Sequence, residues 1–149
     1  MRKIVQPNSW SSLPCAFASI VKKDVGDVFD FLGHDGSEII FPTLRDPFCR
    51  RGFHIQEMYS WCLWQNYCVS TFTTHIGFQP TEGHSVVYPS TRIEEYVHHY
   101  FGVFTGQLPD GSLHSIAWDG QRAMDPSDGM IKILDDFAVT QFHVTAKLT

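Results

Sequence analysis

From residue 101 onward the hydrophobic periodicity of this chain turns to short β-prone segments, and that change constrains the fold more than any other feature. Upstream, Leu13, Phe17, Ile20 and Val21 recur at helical spacing and predict a helix over 12–22, with Pro14 tolerated in its first turn. Asp24 is suited to cap a second helix carrying Val25, Val28, Phe29 and Leu32. The stretch "FHIQEMYSWCLWQN" gathers Ile55, Met58, Tyr59, Cys62 and Leu63 on one face, a third helix. "YCVSTFTTHI" is β-branched and aromatic and reads as a strand, after which "STRIEEYVHHYF" resumes helical spacing with Ser90 or Thr91 as its cap. Downstream of 101 the segments "GVFTGQL", "LHSIAWDG", "RAMDP", "MIKILDDF" and "TQFHVTAKL" are short and β-prone. Turn signals such as Pro109-Asp110-Gly111 and Asp119-Gly120 separate them. Helices first and an antiparallel sheet afterwards is the α+β class.

A length of 149 residues suits one domain with a real core, and no linker divides it. The net charge is −5 and no run of Lys and Arg exceeds two, which argues against a nucleic-acid surface. No apolar run is long enough to span a membrane, and no apolar segment follows the basic N-terminus as a signal peptide requires. A reducing cytoplasm is therefore expected, with Cys15, Cys49, Cys62 and Cys68 as thiols.

Position 12 carries the chemistry. It opens the first helix, where unpaired N–H groups and the macrodipole favour negative charge, so a cysteine there would be a nucleophile at neutral pH. The residue is Ser12. A base is available in His114, at the start of a predicted strand, and an orienting carboxylate in Asp125. A strand, a tight turn at Asp119-Gly120 and a returning strand bring these two together as cross-strand neighbours. Gln6 precedes the turn before the helix. Its amide and the residue-12 N–H could form an oxyanion hole, with Asn8 as the rival amide.

This order resembles the papain-like cysteine peptidases: Gln, a nucleophile at a helix start, a late His on a strand, then Asp on the next strand. The interval from Gln6 to position 12 matches the family's Gln-x5-Cys spacing. "HSIAWDG…MDPSDG", "NSWSSLPCAFA" and "GHDGSEIIFP…CRRGFHIQE" look closest to the double-glycine-peptidase-like branch and its small stand-alone bacterial and phage proteins. The resemblance implies a papain-like fold and thiol-dependent acyl transfer on a peptide or protein substrate, with no cofactor. The departure is Ser12, where the family usually has cysteine. An introduced Cys-to-Ser exchange that silences an enzyme is the favoured explanation, and a natural pseudo-enzyme is the other. Either way a Ser hydroxyl leaves the chain nearly inert, because a His–Asp pair of this kind is not tuned to deprotonate it.

Plainer roles stand beside these. Cys15, among Ala16, Phe17 and Ala18, suits core filler better than a nucleophile, since interior helix positions lack free N–H groups. Asp125, before Pro126, could serve only a turn, and His114 could be structural. Trp10 could wall the cleft or shape a substrate subsite. The Cys and His spacings lack the paired pattern of a zinc site, so no metal is expected. "GHDGSEI" lacks the helix and Lys-Ser/Thr of a phosphate loop and is expected to border the cleft. Two alternatives to a peptidase or isopeptidase remain: an inactive module that captures a peptide tail, and a deamidase or transglutaminase-like toxin with the same triad. Substrate choice lies in loops 33–53 and 76–90, so the branch's glycine preference is not carried over.

Overall fold

A computed structural model describes residues 1–73, 97–132 and 137–149. Three helices, α1 (Ser12–Val21), α2 (Val25–Leu32) and α3 (Ile55–Trp64), precede most of a sheet built from β1 (Tyr67–Thr73), β2 (Gly102–Gln107), β3 (Leu113–Trp118), β4 (Ala123–Asp125), β5 (Met130–Lys132) and β6 (Val139–Lys147). The strands lie in the order β1-β6-β2-β3-β4-β5, and every pairing is antiparallel. This is an α+β architecture of helices packed on an antiparallel sheet. The helix expected over "STRIEEYVHHYF" lies outside the described residues up to Tyr96, as do residues 74–76 of the first strand and 133–136 of the fifth.

Each helix ends where its sequence allows. Lys22 adopts a left-handed conformation (φ 62°), and its N–H and that of Lys23 close the last turn of α1 on Ser19 and Ala18 carbonyls. Asp27 accepts the Asp24 N–H at 3.3 Å, and Glu57 accepts the His54 N–H at 2.9 Å, so α2 and α3 both start on a carboxylate at N3.

The sheet has two apolar faces. On one, Val103, Ala117 and Met124 meet Phe17 and Val21 of α1, Val28 of α2, and Met58, Trp61 and Cys62 of α3. On the other, Phe104, Ile116, Trp118 and Phe142 form a second cluster with Val97. Strand alternation divides the residues between the faces, and α1 is buried along nearly its whole length because it fills the space between the sheet and the other two helices.

The helix-covered face also holds a buried histidine. His143 is 1% exposed, lies 5.9 Å from the Phe17 ring, and is hydrogen-bonded by Nδ1 to Thr71 Oγ1 (2.8 Å) and by Nε2 to Thr105 Oγ1 (3.2 Å). Burial pushes its pKa from 6.5 down to about 4. Between those values the unfolded chain binds a proton that the folded chain refuses, so stability is lost as pH falls through this window. From pH 6.5 to 5 the loss is expected to approach about 1.4 kcal/mol per pH unit from this group. Urea titrations at several pH values should show that slope, and His143→Gln should flatten it.

Candidate active site

The N-terminal segment is threaded between α1 and the far end of the sheet. Arg2 donates its N–H to the Ser19 carbonyl (3.0 Å), and the Ser19 hydroxyl donates back to Arg2 O (2.5 Å). Farther along, the Gln6 N–H donates to the Pro126 carbonyl at 2.7 Å. Gln6 is thus tied, through one backbone bond, to the residue that follows Asp125. Its side-chain oxygen is buried with no donor among the described residues. Leaving a buried acceptor of this kind unpaired costs about 1–3 kcal/mol. Asn8 is placed differently: its side-chain oxygen accepts the Trp10 N–H at 3.2 Å and shapes the turn before α1.

At the start of α1 no side chain caps the helix, and Pro14 has no N–H. The N–H groups of Ser12 and Leu13 are therefore the open donors of the first turn. Ser12 is 6% exposed, and its Oγ accepts a 3.1 Å hydrogen bond from the backbone N–H of Ser115. That amide is free because β4 pairs with β3 only through Ala117 and Trp118. An anion at position 12 would thus meet both the helix terminus and a fixed backbone donor.

His114 donates to Asp125 through Nε2, 2.8 Å from Oδ1. The two are not direct partners. With Trp118 opposite Ala123 and Ala117 opposite Met124, the register carries Asp125 to Ile116, and the His114 ring spans the diagonal to it. Burial raises the Asp125 pKa, but the hydrogen bonds from His114 and from the Ser127 N–H and hydroxyl outweigh it. The carboxyl is held well below the usual carboxylate range. An ionised carboxylate can only accept, so Nε2 of His114 carries a proton, and the neutral ring in this tautomer has its lone pair on Nδ1. Phe137 packs edge-on against the ring at 6.1 Å, and Lys132 Nζ approaches the other Asp125 oxygen at 3.9 Å. Asp125 therefore orients a histidine and builds a turn at once.

Strand alternation places His114 on the face of Ile116 and Trp118, away from α1. Ser12 meets β3 at its open edge, at the peptide joining His114 to Ser115. The free nitrogen of the ring, Nδ1, is the one nearer the backbone and hence nearer that peptide. Ser12 and His114 thus flank one strand edge, on either side of the peptide that joins His114 to Ser115. Among the described residues the hydrogen-bond partner of the ring is Asp125.

Cys15 lies in the core, fully buried, and its thiol is pushed up to about 12 by burial, against a smaller opposing effect of Ser11. All four cysteines are free, and Cys68 is exposed. Trp10 anchors the loop of residues 33–52: its Nε1–H donates to Asp35 O (2.9 Å), and the Arg50 guanidinium sits 4.4 Å over its ring. Gly36 (φ 74°) is crowded by Trp10 and Phe53, so a side chain there has no room. His34, bonded by Nε2 to Glu57 (2.5 Å) and by Nδ1 to the Gly36 N–H (3.0 Å), fixes the same loop to α3 with both ring nitrogens in use. Among the described residues no cluster of His, Cys, Asp or Glu is placed to hold a metal, and no helix is long and apolar enough to cross a membrane.

Two features of the site were missed from the sequence. The Ser115 amide cannot be inferred from residue identity, because any non-proline residue there would offer it. The Thr105, Ser115 and His143 side chains were legible only as polar residues at inward positions of β-strands. The chain matches no protein-family model and no curated protein.

Proposed function

We propose that this chain is built as a papain-like hydrolase that transfers an acyl group from a peptide or isopeptide bond to the side chain of residue 12. The observation that carries the reading is the pair of contacts around one peptide unit: Asp125 on His114 Nε2, and the Ser115 N–H on Ser12 Oγ. With cysteine at position 12, His114 Nδ1 accepts the thiol proton, and the helix terminus and the Ser115 N–H stabilise the thiolate. The thiolate attacks the carbonyl carbon. The oxyanion is held by the residue-12 N–H and by the side-chain N–H of Gln6, whose backbone N–H is tied to the Pro126 carbonyl beside Asp125. The imidazolium returns its proton to the departing amine, and the ring then activates water to release the acid. Ser12 leaves the chain as written nearly inert, in keeping with an introduced Cys-to-Ser exchange.

A peptide mixture incubated with Ser12→Cys and read by mass spectrometry tests this. Chain cleavage or release of an isopeptide-linked partner is expected. Conversion of a Gln side chain to an acid without cleavage would assign a deamidase. Tight retention of a peptide with no turnover would assign the capture module.

A further inference from the structure

Five polar side chains form a continuous row beneath α1, crossing four neighbouring strands. Tyr59 OH of α3 is bonded to Thr71 Oγ1 of β1, and Thr71 to His143 Nδ1 of β6 at 2.8 Å. His143 Nε2 lies 3.2 Å from Thr105 Oγ1 of β2, which lies 2.9 Å from Ser115 Oγ of β3. The row follows the sheet order and ends on the residue whose N–H binds Ser12 Oγ. Thr105, Ser115 and His143 are each at most 5% exposed. Apolar side chains would fill this layer of the core with less desolvation cost, so the row calls for a reason other than packing.

A neutral imidazole has one donor and one acceptor, so the row can point two ways. If Tyr59 donates inward, every later group donates onward, and the Ser115 hydroxyl is left as a buried donor with no acceptor among the described residues. If Ser115 donates outward, Thr105 donates to His143 Nε2, Nδ1–H donates to Thr71, and Thr71 donates to Tyr59. The half-buried Tyr59 hydroxyl then ends the row where water can accept from it. Only this outward direction uses every buried donor.

We infer that His143 is a positioning residue for position 12: as the Nδ1–H tautomer it fixes Thr105 and Ser115, and so holds the Ser115 N–H on the residue-12 side chain. The inference rests on the acyl-transfer reading of that position. It explains why β3 keeps its amide aimed at Ser12 where β4 no longer pairs with it.

Two measurements test it. In the chain as it stands, nitrogen-15 spectra of His143 at neutral pH should show Nδ1 protonated and Nε2 bare; the opposite tautomer overturns the inferred direction. In Ser12→Cys, Thr105→Val severs both bonds of Thr105 while keeping its volume. Alkylation of residue 12 by iodoacetamide at neutral pH should then slow about tenfold, as loss of one hydrogen bond to a charged group implies. Thr105→Ser should restore the rate, and Cys68 in the same protein should be unaffected. An unchanged rate in folded Thr105→Val, or a Thr105→Ser variant as slow as the valine, overturns the positioning role and leaves the acyl-transfer reading standing. If residue 12 of Ser12→Cys reacts no faster than Cys68, both fall together.

Discussion

Ser12→Cys is expected to raise turnover of a cleavable peptide or isopeptide by about 10³-fold or more over the chain with serine, within the range that loss of a catalytic nucleophile costs. The magnitude follows from the surroundings of position 12. A thiol ionises near pH 8.5 when unperturbed and lower beside a helix N-terminus and a hydrogen-bond donor. Serine gains nothing comparable, since its hydroxyl is far too weak an acid for one histidine to ionise. The change adds one sulfur where an oxygen already accepts the Ser115 N–H, so the fold should tolerate it. A melting temperature close to that of the parent, with turnover measured by peptide mass spectrometry, separates a chemical gain from a structural one.

The second large effect is its reversal. In Ser12→Cys, His114→Ala should lose about 10²–10⁴-fold in kcat, the usual contribution of a positioned acid–base group. Asp125→Asn should also lower kcat, by a different route. An amide no longer obliges His114 to present a protonated Nε2, so the lone pair on Nδ1 is no longer enforced. On the proposed reading Asp125 acts only through His114, so KM should change little. Equal loss of kcat and melting temperature across both variants would instead mark His114–Asp125 as a structural pair.

The helical half of the fold was legible because apolar spacing of 3.6 residues and an acidic residue at N3 speak locally. Asp24 with Asp27, and His54 with Glu57, mark the starts of α2 and α3 within a few residues. Sheet order was not legible. β1 follows α3 but pairs with β6, the last strand, and that closure leaves no trace in either segment alone. The His114–Asp125 pair was readable from a strand, a two-residue turn signal and a returning strand, yet its diagonal geometry was not. Register depends on the turn at 119–122, where Asp119 accepts the N–H groups of Gln121 and Arg122. Trp10 illustrates another limit: an aromatic beside a nucleophile suggests a subsite, while its ring and N–H are engaged by Arg50 and Asp35 from a loop more than twenty residues away. Gln6 was singled out as a candidate from its spacing to position 12, while its bond to Pro126 came only with the tertiary fold.

The rate at which iodoacetamide alkylates residue 12 of Ser12→Cys, followed from pH 4 to 9, bears most directly on whether these groups act as one site. On the proposed reading, a thiolate held by the Ser115 N–H and the helix terminus, its proton passed to His114, should already react fast near pH 6, well ahead of the exposed Cys68 in the same molecule. A profile that parallels Cys68 across the whole range would mean that residue 12 and His114 do not share a proton, and that the arrangement at the edge of β3 is not catalytic.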